Sequence, residues 1–350
     1  MKVEGNILAM VVMTVFALSC SKFYYGGVNG DDTCLEALVE PADAEHVYTV
    51  MGSRLVNSVH YVWKDTVSQV IRHGEYYAVA FYADTDVYEI NKVTGEDGEM
   101  DALEKFAADK TMSMQDIYVS LPVMADTDYG KLADYNPYSS FIRPAEGLFA
   151  CDFMKFTARD TAMKISFSPR PLTQSLTFRL KVRPEEGVTV TGLRAAVSGV
   201  AGKVRVMSGM VRNDSRNPTY RQYIPMQQVS EQEVIIFEGE TQVLGLFPSS
   251  SSLYTSGAGI FQAEISASVM LDGVEYKRVF YVGINMKSVI EKAGLMEEAK
   301  DKSGFRVSRS EAVLEVPVVL EVGFDKVVSG EGEGYEQWFV HDNEDLEFEV

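Results

Sequence analysis

The sequence predicts an all-β protein made of antiparallel β-sandwiches. Short apolar or alternating runs follow one another through most of its 350 residues, and Gly, Pro, Asn and Asp separate them. Alternation with a period of two is typical of strands that bury one face, and no regular succession of strands and helices indicates parallel βαβ units. The hydrophobic fraction of 46% suffices for a large core. We therefore expect two β-sandwich domains with one or two short helices.

Residues 1–20 have the anatomy of a lipoprotein signal peptide. Lys2 precedes an apolar run of about a dozen residues that ends at Leu18, and Cys20 follows the small residue Ser19. A helix that spans a bilayer needs about 20 apolar residues, so this run is too short. We predict that Cys20 is lipidated and that the polar, Gly-rich residues 21–32 form a tether. An ordinary signal peptide and a short membrane anchor are the alternatives.

The first predicted domain covers residues 33–168 and consists mainly of short strands. One helix is predicted over 100–108, where Leu103 and Phe106 share a face. The prolines of Ser168-Pro169-Arg170-Pro171 exclude a central strand, and they mark the predicted domain boundary. The expected strands lie at 56–62, 76–82, 87–90, 117–123 and 148–156.

The second predicted domain covers residues 169–350 and alternates more cleanly. Asp272-Gly273 predicts a two-residue hairpin, because both residues tolerate a positive φ. The small residues 198–202 predict a turn, and the spacing of apolar residues predicts a second helix over 286–300. The expected strands lie at 176–182, 188–191, 193–197, 203–206, 234–237, 242–247, 261–271, 277–283 and 313–322.

The charge of the chain excludes some classes of partner. It has 51 acidic and 32 basic residues, which gives a net charge of −19. Such a surface repels nucleic-acid phosphates, and no basic cluster with interleaved aromatic residues stands out, so we expect no nucleic-acid partner. The same charge argues against electrostatic docking on anionic lipid headgroups. A membrane attachment therefore has to come from the lipid on Cys20 or from partner proteins.

Motifs for cofactors, metals or catalysis are absent from the sequence. It has no HExxH, no G-x-S-x-G and no P-loop or dinucleotide fingerprint. After Cys20 only Cys34 and Cys151 remain, and they form either one disulfide or two free thiols. The spaced carboxylates of 126–130 lack the distal Glu of a helical calcium loop. We expect no enzyme activity, no cofactor and no metal.

Several short motifs resemble the fimbrillin-like lipoproteins of Bacteroides-type bacteria. The strand 176–182, followed by 193–202 with its Ser-Gly-small-Ala turn, is similar to their second domain. The Gly-rich stretch 330–335, then Trp338 and the alternating residues 346–350, is similar to their C-terminal region. Residues 76–90 resemble paired strands of their first domain. Each motif is short, but together they are spread over most of the chain.

The resemblance implies two transthyretin-like β-sandwich domains and a lipid anchor in the outer membrane. In this family, subunits join when a strand of one protein enters a groove of the next, which is a form of β-strand addition. Polymerising subunits lose an N-terminal strand by cleavage after an Arg, and Arg54 is the only Arg among the first 71 residues. The ordinary alternative for Arg54 is a solvated loop residue.

The leading hypothesis is a non-enzymatic fimbrial anchor or accessory lipoprotein whose partners are other fimbrial subunits. Partner-facing elements are expected in the strand after Cys34 and in the tail 335–350. In that tail the candidate contacts are Trp338, Leu346, Phe348 and Val350, unless the tail completes its own sheet. The main alternative is a carbohydrate-binding outer-membrane lipoprotein of a glycan-uptake system, with exposed tryptophans. A weaker alternative is a hydrolase with a deep polar cleft. Placement at the cell surface and at the periplasmic face both stay open.

Overall fold

The fold is known from a computed structural model of the chain. It describes residues 32–39, 47–53, 57–62, 66–83, 87–90, 92–95, 98–101, 118–125, 140–152, 154–159, 162–212, 218–231, 233–248, 258–329 and 338–342.

The described residues before Leu172 include thirteen strands. In chain order they are β1 (Asp32–Val39), β2 (Val47–Ser53), β3 (Asn57–Val62), β4 (Thr66–Arg72), β5 (Gly74–Tyr82), β6 (Glu89–Ile90), β7 (Lys92–Gly95), β8 (Gly98–Asp101), β9 (Tyr118–Ser120), β10 (Phe149–Cys151), β11 (Met154–Ala158), β12 (Ala162–Phe167) and β13 (Pro169–Pro171).

The later residues add longer strands and one short helix. These elements are β14 (Gln174–Pro184), β15 (Val188–Ala201), β16 (Lys203–Arg205), β17 (Met210–Val211), β18 (Thr219–Ile224), β19 (Met226–Glu231), β20 (Ile235–Val243), β21 (Ile260–Leu271), β22 (Val274–Asn285), helix α1 (Lys287–Ala293), β23 (Met296–Glu298), β24 (Phe305–Val307), β25 (Glu311–Val322), β26 (Val327–Ser329) and β27 (Trp338–Asp342).

Two five-stranded sheets form the C-terminal sandwich. The front sheet has the order β19-β20-β14-β25-β26, and the back sheet has the order β18-β15-β21-β22-β27. All their pairs are antiparallel except β14 with β25. Alternate residues of both sheets point inward, so that Phe178 of β14 stacks on Phe261 of β21 with ring centroids 5.7 Å apart. We call the apolar cluster around these two rings the main core.

A second pair of sheets lies in the N-terminal half. The larger sheet has the order β13-β10-β5-β2-β3, with β11 also on β5, and the smaller has the order β12-β1-β4. A small core between them contains Leu35, Ala78, Ala80, Phe156 and Phe167. The opposite face of β5 presents Val79 and Phe81 to the main core. β5 is therefore buried on both faces.

A further sheet joins strands from both halves of the chain. This bridging sheet has the order β23-β24-β17-β16-β9-β6, and the pair of β9 with β16 crosses the predicted boundary at 168/169. The segment Pro169–Pro171 pairs with β10 and forms an edge of the larger N-terminal sheet. This is where proline is tolerated, because an edge strand can lack a ladder N–H. The limits of the two predicted domains stay a prediction.

The prediction of an all-β, mainly antiparallel fold is confirmed. The predicted hairpin is confirmed as well: Leu271 pairs with Val274, and the turn residues Asp272 and Gly273 have φ of 51° and 81°. The runs predicted at 188–191 and 193–197 are one continuous strand, β15. The predicted turn at 198–202 was largely wrong. β15 continues through it to Ala201, with a bulge between Ser198 and Val200.

Both helix predictions need correction. The second helix ends at Ala293, well before residue 300, because Gly294 adopts the left-handed conformation at φ 59° and caps it. The segment Met296–Glu298, inside the predicted helix, is a strand. Met100 and Asp101, at the start of the first predicted helix, belong to β8, and its other residues lie outside the described part of the chain.

Candidate strand-acceptor edge

The outer edges of the C-terminal sandwich differ in how they are protected against pairing with another chain. An unprotected edge strand offers a row of backbone donors and acceptors to a partner. At one edge of the front sheet, β19 has a bulge between Gln228 and Ser230, and at the other edge β26 has only three residues. At one edge of the back sheet, residues 140–142 bond to β18 at Arg221: the Ile142 N–H donates to the carbonyl of Arg221 at 2.9 Å, and the Arg221 N–H donates to the carbonyl of Ser140 at 2.9 Å.

The strands that the structure describes cover only part of the remaining edge of the back sheet. β22 has 12 residues, whereas its outer neighbour β27 has 5. β27 pairs with Phe280–Ile284, and no described strand pairs with Val274–Val279 on that side. We call Val274–Val279 the acceptor edge. It is six residues long, which is a typical length for a strand.

The hairpin geometry tells which backbone groups the acceptor edge offers. In a hairpin closed by a two-residue turn, the flanking residues bond each other, so Val274 and every second residue after it bond to β21. The N–H and C=O groups of Glu275, Lys277 and Val279 therefore point away from β21. These are the groups that a further antiparallel strand would bond.

Apolar side chains surround the tip of this hairpin. Met270, Leu271 and Val274 expose 62%, 52% and 51% of their surface. Large apolar side chains at the end of an open strand give an added strand something to pack against. The ion pair of Lys277 with Glu275, at 3.5 Å and exposed, is of the kind that contributes little to stability.

The structure places few of the sequence-predicted site residues. Trp338 opens β27 and lies opposite Ile284. This part of the tail completes the chain's own back sheet, which was one of the two predicted alternatives. Cys20, Arg54, Leu346, Phe348 and Val350 lie outside the described residues, and their roles stay predictions.

The strand after Cys34, also predicted to face a partner, is internal. β1 pairs with β12 on one side and with β4 on the other. Thr33 and Leu35 are buried, so this strand is part of the fold that it opens. Cys151 is buried in the small core. A carbohydrate-binding protein is expected to expose a platform of tryptophans, and the tryptophans of this chain are Trp63 and Trp338. The side chains of both lie outside the part of the chain that the structure describes.

Sequence reasoning missed the acceptor edge. The sequence predicts a strand over 277–283. That β22 extends beyond β27 is visible only once strands distant in sequence are paired. The available signal was the Asp272-Gly273 hairpin, which fixes the start of β22. Among the described residues, no group of three or more His, Cys, Asp or Glu side chains could hold a metal. In the same part of the chain, no helix is long and apolar enough to cross a membrane.

Comparison with known proteins gives structural likeness only. No family model and no curated protein matches the sequence. An adhesin candidate from Bacteroides ovatus is similar in structure, with a TM-score of 0.44 at 11% identity over 78% of this chain and 87% of that one. An adhesin candidate from Bacteroides thetaiotaomicron has a TM-score of 0.44 at 10% identity, over 85% of this chain and 95% of that one.

A third similar structure is the fimbrial anchor protein Mfa2 of Porphyromonas gingivalis. Its TM-score is 0.41 at 11% identity, over 89% of this chain and 98% of that one. These proteins are adhesin candidates and a fimbrial protein, the class that the sequence motifs resemble, at low sequence identity. The TM-scores are too low to establish a common topology, so the likeness by itself assigns no role to this chain.

Proposed function

We propose that this protein is a non-enzymatic lipoprotein that anchors or extends a fimbria at the outer membrane. Acyl chains on Cys20 hold its N-terminal end, and the acceptor edge of β22 takes up a strand of a partner subunit. Because a single acyl chain binds a membrane only marginally, we expect more than one on the processed N-terminus.

The observation that carries the proposal is that, within the described part of the chain, no strand pairs with the outer side of Val274–Val279 in β22. β-strand addition needs an unpaired row of backbone groups for affinity and neighbouring side chains for specificity. The other edges of the C-terminal sandwich are bulged, short or covered, whereas this one offers Glu275, Lys277 and Val279. The fimbrial role of the partner comes from the sequence resemblance.

The decisive variant removes one backbone donor from the acceptor edge. Lys277→Pro deletes an outward N–H and leaves the bonds of β22 to β21 in place, because proline is tolerated at sheet edges. Lys277→Ala is the matched control, since it removes the same charge and keeps the N–H. Both variants should stay folded, which thermal unfolding checks.

The measurement is affinity purification of the lipoprotein from native membranes, followed by mass spectrometry. We expect fimbrial subunits to co-purify with the wild type and with Lys277→Ala, and to be lost with Lys277→Pro. Cys20→Ala should move the protein out of the membrane fraction. The absence of any fimbrial protein among the partners of the intact lipoprotein would refute the fimbrial role. Equal recovery with Lys277→Pro would refute the acceptor edge.

A further inference from the structure

The pairing of β27 with β22 determines where the chain leaves the sheet. β27 runs antiparallel to β22, from Trp338 opposite Ile284 to Asp342 opposite Phe280. An unbroken continuation would place the next residue opposite Val279, the nearest residue of the acceptor edge. Residues 343–350 follow β27 directly and lie outside the described part of the chain. These eight residues, in an extended conformation, are long enough to run beside all six residues of the edge.

The register of β27 also assigns backbone partners to this segment. Continued without a bulge, it places residues 343, 345 and 347 opposite Val279, Lys277 and Glu275. These three residues of the edge are the ones whose N–H and C=O groups point away from β21. Each would form a hydrogen-bonded pair with the residue opposite, as in any antiparallel ladder. The segment therefore matches the unpaired backbone groups of the edge.

The apolar residues of the segment match the inward face of the edge. Phe280 is buried in the main core, so the even-numbered residues of β22 face the interior of the sandwich. The same register places Leu346 opposite Tyr276 and Phe348 opposite Val274, which is 51% exposed. Directly opposite residues project from the same face of a sheet. A shift of one residue would turn both apolar side chains outward, so their spacing favours the register of β27.

The basic residues of the edge lie opposite acidic residues of the segment. Asp345 falls opposite Lys277, and Glu344 falls opposite Arg278. Arg278 Nη1 donates to residues 324–325, to a carbonyl and to a carboxylate, both at 3.2 Å. Its Nε is buried and has no acceptor among the described residues. Opposite charges on facing residues of two strands stabilise their pairing.

One pair in this register is unfavourable. Glu347 falls opposite Glu275 on the outward face. Lys277 pairs with Glu275 at 3.5 Å, and it lies diagonal to Glu347, within reach of a long side chain. Exposed charges contribute little to stability. The backbone bonds and the two inward apolar pairs therefore decide the register.

We propose that residues 343–350 continue β27 along the acceptor edge of the same molecule, and that a partner strand binds only by displacing them. This inference rests on the proposed function, because it names what regulates the strand-acceptor site. An attached segment competes at a high effective concentration. A partner strand must therefore offer the same pattern, with apolar residues opposite Val274 and Tyr276 and carboxylates opposite Lys277 and Arg278. The segment thus selects against strands that lack this pattern.

The first test is hydrogen exchange at the three outward N–H groups of the acceptor edge. It compares the full chain with a chain that stops at Asp342. Leu346→Asp in the full chain is a second test variant, because it places a charge on the inward face. Glu347→Gln is the matched control, since it changes the outward face and keeps the apolar pattern. Thermal unfolding, together with exchange in β14 of the front sheet, checks that each variant is folded.

We expect slow exchange at these groups in the full chain and in Glu347→Gln. Exchange should be about tenfold faster or more in the shortened chain and in Leu346→Asp, because the N–H groups lose their acceptors. Equal exchange in the full chain and the shortened chain would overturn the proposal.

The second test adds a synthetic peptide with the sequence of residues 343–350, and calorimetry measures its binding. The peptide should bind the shortened chain, and it should bind the full chain about tenfold more weakly or less, because there the edge is occupied. A peptide of the same composition in scrambled order is the control and should bind neither. No binding to the shortened chain at millimolar peptide, or equal binding to both chains, would overturn the proposal. Neither test involves a fimbrial subunit, so their failure is distinguishable from failure of the proposed function.

Discussion

Gly199 shows how a single residue can fix the path of a long strand. It forms the bulge of β15 at φ +88°, and an added Cβ would lie 2.5 Å from the backbone N of Gly259 and 2.7 Å from the backbone O of Phe247. Both neighbours are backbone atoms, so they cannot rotate away. The bulge therefore needs glycine for two reasons, the positive φ and the close approach of two other segments.

The first prediction separates these two reasons. Gly187 has a similar φ of +82°, but no atom of the described residues lies within 4 Å of an added Cβ. Gly187→Ala should lower the free energy of unfolding by about 1–2 kcal/mol, from backbone strain alone. Gly199→Ala should lower it by roughly 2–5 kcal/mol, because overpacking adds to the strain. Urea denaturation measures both values, and equal losses would show that the contacts around Gly199 are easily relieved.

At the scale of elements, helix α1 depends on docking rather than on its own stability. It has seven residues, and isolated helices of that length do not persist in water. Ile290 is the buried residue of the helix: it is 2% exposed and belongs to the main core. Gly294 caps the C-terminus of the helix by adopting the left-handed backbone conformation.

The second prediction concerns this docking. Ile290→Ala should lower the free energy of unfolding by about 2–5 kcal/mol and should raise hydrogen exchange throughout α1, because the anchor of the helix is lost. Glu291→Ala, at the next and exposed position, is the control and should change stability by less than about 0.5 kcal/mol. Unchanged exchange in the Ile290→Ala helix would mean that other contacts suffice to hold it.

Local signals in the sequence predicted some elements and misled on others. The Asp272-Gly273 hairpin was predictable because two residues determine a turn with positive φ. The helix predicted over 286–300 extends too far, because Met296 continues the helical spacing of apolar residues past Gly294, where the helix ends. The small residues around Gly199 predict a turn where the structure has a bulge, because small residues are common in both. That choice depends on Phe247 and Gly259, which are distant in sequence.

At the scale of the whole molecule, the two halves share one core. Val79, Phe81 and Leu148 belong to the same apolar cluster as Phe178 and Leu320. Backbone bonds also join the halves, from Leu121 N–H to the carbonyl of Gly202 at 2.9 Å and from Ala145 N–H to that of Gln242 at 3.0 Å. A core continuous across residue 168 predicts cooperative unfolding.

The third prediction follows from this sharing. The chain should unfold in one transition, with the same midpoint by tryptophan fluorescence and by far-UV circular dichroism. A fragment of residues 169–350 should be much less stable than the full chain, because it loses the apolar partners contributed by β5 and by residues 118–125 and 140–150. Two separated transitions in calorimetry would show instead that the halves are independent folding units.

The candidate site arises from arrangement over long distances in sequence. The acceptor edge depends on where β27 ends as well as on where β22 starts. The all-β class, in contrast, was predictable from period-two alternation alone.

The double burial of β5 has a consequence for how faithfully the molecule can assemble. Its alanines, Ala78 and Ala80, face the small core, and the larger Val79 and Phe81 face the main core. A slip of one residue in pairing exchanges the two sets, since neighbouring side chains of a strand point to opposite faces. The large side chains would then be forced into the space that the alanines fill in the small core, and the alanines would leave voids in the main core. A shifted register of β5 thus disrupts the packing of both cores at once, so this strand favours a single register between the two halves.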